Sequence, residues 1–166
     1  MHLFIHDLEE NENLFLKQLT QKNIVIISNT NTIKHCIGCF SCWIKTPAQC
    51  IIKDGYENMG ELISKSESIT IISKCFYGGF SPFVKNVLDR SISYLHPYFV
   101  IKNGEMHHKR RYDNHFKLTV YFYGEDITQK EKETAEKLVK ANAVNLYCDI
   151  KDVFFVHDIE EMGQLL

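Results

Sequence analysis

Short apolar runs alternate with stretches of helical spacing along the whole chain. Residues 2–6 form an apolar run that predicts a first strand. Asp7 and Glu10 then carry capping-box spacing, and Leu14, Phe15 and Leu19 line one helical face behind them. Ile24–Ile27 is an unbroken β-favouring run, the pattern of a strand buried on both faces in a parallel sheet. Asp54 and Glu57 repeat the capping box, with Tyr56, Met59, Leu62 and Ile63 at helical spacing. Residues 69–72 predict a third strand. Ser81 offers an N-cap with Pro82 at the first helical position, and Val84, Val87, Leu88, Ile92 and Leu95 mark a buried helix face. Residues 97–115 break the rhythm. A turn signal at Asn103-Gly104 and a basic run from His107 to Arg111 predict an excursion, a hairpin or flap. Phe116, Leu118, Val120 and Phe122 alternate with Lys117, Thr119, Tyr121 and Tyr123 as a fourth strand. Thr128 and Glu131 cap a last long helix through Ala135, Leu138, Val139 and Asn142, and Val153–Val156 is strand five.

Strand–helix alternation of this kind predicts an α/β fold, a five-stranded parallel sheet with helices on both faces. Five strands fit the flavodoxin-like order 2-1-3-4-5, a three-layer sandwich forming one domain over residues 1–166. Ligands in such sheets bind beyond the carboxyl ends of the strands, where the order reverses between strands one and three. The loops after Asp7, Ser28, Lys74 and Tyr123 then share one rim. A cysteine-rich loop over residues 29–55 follows strand two and lies beside it.

Composition narrows the function. A net charge of −2 gives no global attraction to nucleic acid or to an acidic membrane. The first seven residues lack a basic n-region and a long apolar h-region, so a cytoplasmic home is expected. Thiols stay reduced there, which disfavours a structural disulfide framework and favours metal or redox use of cysteine.

Four of the six cysteines fall in Cys36-x2-Cys39-x2-Cys42-x7-Cys50, together with the only tryptophan. Four readings stay open. A 4Fe–4S cluster needs four converging thiolates, and these four supply the number. Zinc needs four ligands, with His35 as a spare. A Cys39/Cys42 pair is a redox dithiol. The fourth reading is small cysteines packing a loop under Trp43.

Two stretches resemble one family. Cys36-Ile-Gly-Cys-Phe-Ser-Cys-Trp43, with Cys50 to Asp54 downstream, is similar to the NADPH-dependent FMN reductases and to their iron–sulfur flavoprotein branch. Phe76-Tyr-Gly-Gly-Phe-Ser-Pro-Phe-Val-Lys-Asn-Val-Leu-Asp-Arg90 resembles the segment after strand three of the same family. The resemblance covers residues 24–95. It implies FMN, NAD(P)H as reductant, a small-molecule or protein electron acceptor, and a homodimer or higher homo-oligomer. It places Phe76, Tyr77, Gly78, Gly79, Phe80 and Ser81 along the isoalloxazine ring, with Tyr123 and Gly124 flanking it. It makes Cys36, Cys39, Cys42 and Cys50 the ligands if a cluster is bound. One departure is plain. Where the family has a Gly/Ser/Arg-rich phosphate loop, this chain reads Asp7-Leu-Glu-Glu-Asn-Glu12, whose carboxylates repel a phosphate dianion. A flavodoxin-like module without flavin, acting by binding or through a metal, is the alternative.

The remaining features carry less. Cys75 and Cys148 read as core cysteines. The basic run reads as a solvated loop or subunit contact before it reads as a site for the 2′-phosphate of NADPH. The aromatic patch from Tyr94 to Phe99 covers a flavin, buries a subunit interface or packs the core. His6 and His96 have no visible triad partners, and no P-loop or Rossmann fingerprint is present. No side chain is assigned a catalytic role, because hydride chemistry belongs to the cofactor.

Overall fold

The structure is a computed structural model that describes residues 1–9, 23–29 and 32–163. Five parallel strands form its sheet: β1 (His2–His6), β2 (Ile24–Ile27), β3 (Ser68–Lys74), β6 (Lys117–Tyr123) and β7 (Asp149–Val156). Their order is β2-β1-β3-β6-β7. Taken in sequence among themselves, these strands have the predicted order 2-1-3-4-5. Register is set at the amino end by His2 beside Ile24 and Ser68, and at the carboxyl end by Lys74 beside Tyr123. Strand β7 begins four residues before the predicted Val153, and the β6–β7 ladder carries an irregularity at Leu118/Thr119.

The helices are α1 (Ser41–Ile44), α2 (Met59–Ser64), α3 (Pro82–Arg90), α4 (Gln129–Leu146) and α5 (Ile159–Gly163). Ser81 caps α3 as its sequence predicts, its Oγ accepting from Val84 N at 3.3 Å. Thr128 and Glu131 form the reciprocal capping box of α4. The box predicted at Asp54 and Glu57 does not form. Helix α2 starts later, after Asn58, because Asp54 is engaged by Arg90 and Glu57 accepts from Gly55 N. The helix predicted through Leu14, Phe15 and Leu19 lies outside the described residues.

Helices α2, α3 and α4 cover one sheet face over a core that includes Leu3, Ile5, Ile71, Val84, Val87, Val120, Phe122 and Val139. On the other face Phe4, Leu8, Ile72, Tyr121 and Val156 pack with Met162 of α5. Between α3 and β6 the chain makes a 3-10 turn (Ser91–Tyr94) and an antiparallel hairpin, β4 (Leu95–Lys102) and β5 (Glu105–Arg110). Its tip is Asn103-Gly104, both with positive φ (54° and 81°), the geometry that favours this pair in two-residue turns. The hairpin docks on the end of α4: Tyr147 Oη donates to His108 O, Lys102 Nζ donates to Val144 O, and His107 Nδ1 meets Asn145 Oδ1 at 2.8 Å.

Candidate functional site

The carboxyl ends of β1, β3 and β6 meet at Asp7, Lys74 and Tyr123. Asp7 turns its carboxylate back over the sheet and accepts from Lys74 N at 3.0 and 3.3 Å. The side chains of Ser81 and Tyr123 also bond to it. Burial pushes the Asp7 carboxyl up, against these hydrogen bonds, which favour the ionised form. His6, one residue earlier, is buried, and burial lowers its imidazole to about 4. Its Nδ1 accepts from Leu8 N, which puts the proton of the neutral ring on Nε2.

After β3 the chain makes a tight turn. Phe76 and Gly79 exchange backbone hydrogen bonds of 3.0 and 2.8 Å, with Tyr77 (φ 51°) and Gly78 (φ 78°) between them. The six residues predicted to share a ring-binding role divide here. Phe76 is 42% exposed and Tyr77 90%, so both present aromatic surface at the rim. Gly78 faces inward against α4, where an added Cβ would lie 2.7 Å from Thr134 Cβ and 2.8 Å from Glu131 O. Gly79 closes the turn. Phe80 is buried on Phe122 with ring centroids 5.2 Å apart, and Ser81 is buried as the cap of α3. Tyr123 reaches Asp7, whereas Gly124 donates to Val156 O and lines a separate small cavity with Lys132, Phe155 and Glu161.

The cysteine loop builds a second place. Cys36, Cys39, Cys42 and Cys50 line one cavity of about 580 Å³, walled by Phe40, Trp43, Leu88, Leu95, His108, Leu138 and Leu146. Phe80 also borders it, so the cavity begins directly under the rim turn. Trp43 seals one side by donating Nε1–H to Leu95 O at 3.0 Å and packing against His108. The loop is held by Arg90, whose side chain is fully buried. Its five N–H donors are all used. Two go to the Asp54 carboxylate at 2.9 Å, two to Lys34 O and Ile52 O, and Nε–H goes to Cys50 Sγ at 3.2 Å. The guanidinium holds the Asp54 carboxyl down to about 2. This pairing joins residues 36 positions apart, and no local pattern announced it. All six cysteines are free thiols. Among the described residues, no group of three or more His, Cys, Asp or Glu is arranged to hold a metal ion.

The other sequence candidates fall elsewhere. Cys75 lies half-buried at the end of β3, where burial raises its thiol pKa, and burial pushes Cys148 up to about 12. In the basic run, Arg111 donates to the carbonyls of Ser93 and Leu95. No helix among the described residues is long and apolar enough to cross a membrane.

Comparison with solved structures places this architecture. The Trp repressor binding protein of Bacillus subtilis superposes with a TM-score of 0.59 at 10% identity, covering 99% of this chain and 94% of that one. An FMN-dependent NADH-azoreductase from Bacillus anthracis, in complex with FMN, gives 0.57 at 13% identity over 99% and 92%. The general stress protein 14 from Treponema denticola, also in complex with FMN, gives 0.52 at 11% identity over 99% and 90%. The fold is flavodoxin-like. No family model and no curated protein matches the sequence.

Proposed function

We propose that this chain is a flavin-dependent oxidoreductase, passing electrons from NAD(P)H to a small-molecule or protein acceptor. The observation that carries this reading is the rigid turn at the strand-order switch, with Phe76 and Tyr77 exposed on it. Two aromatic side chains on a hydrogen-bonded turn suit a planar ring, which stacks on such surfaces. The names of two similar structures, both FMN complexes, support the same cofactor. A bound flavin supplies the hydride chemistry. Phe76 and Tyr77 would hold and orient its ring, and the packing of Gly78 on α4 keeps the turn from yielding.

The phosphate end fits less well. At the carboxyl end of β1 stands Asp7, whose carboxylate accepts from Lys74 N of the same chain and would face a phosphate with negative charge. This favours a second reading, a flavodoxin-like binding module without flavin. The exposed apolar residues of the hairpin, Tyr98, Phe99, Ile101 and Met106, support a homodimer that covers them.

Anaerobic addition of NADH or NADPH to the protein equilibrated with FMN separates the two readings. The oxidoreductase reading expects the visible flavin band to bleach faster than in a protein-free control. Equal rates count against it.

A further inference from the structure

The cysteine loop carries chemistry that does not depend on a flavin. Cys39 is exposed and stands immediately before the αL residue Phe40 that opens α1, and Cys42 lies in that helix, three positions on. Both thiols line the same cavity. Around Cys39 the surface is apolar, with Ile37 71%, Phe40 57% and Ile44 76% exposed. The loop beneath is fixed by Arg90 and Trp43, so the pair sits on a rigid support.

We propose that Cys39 and Cys42 form a dithiol–disulfide exchange site, with Cys39 the attacking and Cys42 the resolving thiol. Cys39 thiolate attacks one sulfur of a substrate disulfide, and a mixed disulfide forms as the first substrate thiolate leaves. Cys42 then gives up its proton and attacks Cys39 Sγ. The second substrate thiolate leaves, and the two substrate sulfurs take up two protons. The chain's dithiol is oxidised by two electrons and the substrate disulfide is reduced by the same two. The apolar surround of Cys39 suits a disulfide carried on a peptide, whose flanking apolar side chains it would cover.

The environments of the two thiols fit this division of labour. Cys39 is exposed, so a substrate disulfide reaches it first. Cys42 is less exposed, in α1 at the cavity wall, where it meets the mixed disulfide only after Cys39 has reacted. Arg90 donates to Cys50 Sγ and ties that sulfur to the buried ion pair, away from exchange.

The test equilibrates the purified, fully reduced protein in glutathione redox buffers, then alkylates and maps the remaining thiols by mass. The wild type is expected to lose two thiols together, mapped to a Cys39–Cys42 disulfide. Cys36→Ser and Cys50→Ser should retain this disulfide. Cys42→Ser should instead accumulate one glutathione on Cys39, and Cys39→Ser should form neither product. No paired thiol loss across the buffer range, or a disulfide mapped to another pair, overturns the proposal. So does stoichiometric iron and sulfide after anaerobic reconstitution, with all four thiols protected.

Discussion

Replacing Asp54 with Ala strands a guanidinium that water cannot reach. The Arg90 side chain is 0% exposed and that of Asp54 only 7%, so the pair is a buried ion pair with all five guanidinium donors used. Breaking such a pair from one side typically costs about 3–5 kcal/mol, most of it the penalty of an uncompensated buried charge. For a domain of this size each kcal/mol lowers Tm by about 2–4 °C, so Asp54→Ala should melt roughly 6–20 °C lower. The carboxyl's shift from its ordinary 3.8 to about 2 gives the smaller, pH-dependent part of this separately. At about 1.4 kcal/mol per unit it corresponds to roughly 2–3 kcal/mol, which solvent at the loop edge trims to about 1–2. The folded carboxyl titrates below its unfolded value. This contribution is therefore complete above about pH 4 and fades as pH falls toward 2. Urea unfolding of wild type and Asp54→Ala, with thiol accessibility followed in parallel, measures both effects. The variant should also expose the cysteine loop to alkylation before global unfolding, because Lys34 N and Tyr56 N lose their acceptor and Arg90 loses the carboxylate that seats it. A change under about 1 kcal/mol, or a loop equally protected, would refute the reasoning.

Three further outcomes follow from the geometry. Burial lowers the His6 imidazole from 6.5 to about 4, so the unfolded state binds the extra proton first; stability should fall by about 3 kcal/mol between pH 6.5 and 4, and His6→Asn should flatten that slope in pH-dependent urea melts. Gly78→Ala places a Cβ against Thr134 and the Glu131 carbonyl at a φ of 78°, and should cost about 1–3 kcal/mol in thermal melts while weakening flavin binding through the displaced turn. Asp7→Asn removes the negative charge from the rim but keeps an acceptor for Lys74 N, so it should improve FMN affinity about tenfold, roughly 1.4 kcal/mol, and leave riboflavin affinity little changed in parallel titrations.

The sheet was legible because apolar runs such as Ile24–Ile27 and residues 69–72 have no other economical home than a parallel sheet covered on both faces. The Ser81 and Thr128 caps were legible because a cap is a contact within three residues. Asp54 misled for the same reason: its spacing to Glu57 imitates a cap, while its partner is 36 positions away. The Phe76–Ser81 segment looked uniform as a string. The turn geometry that sends Tyr77 outward and Gly78 and Phe80 inward depends on α4 and β6, which a local pattern does not contain. The cysteine spacing announced a shared site, but the cavity wall comes from α3, α4 and the hairpin, elements that meet only in the folded chain.

A flavin held at the rim turn is the central claim. Titrating the protein into FMN and following flavin fluorescence measures this in one step. The predicted result is saturable quenching with Kd of about 1 μM or tighter, about −8 kcal/mol, weakened at least tenfold by a combined Phe76→Ser and Tyr77→Ser change that leaves the melt unchanged. Fluorescence that stays that of free FMN up to ~1 mM protein, weaker than about −4 kcal/mol, would contradict it.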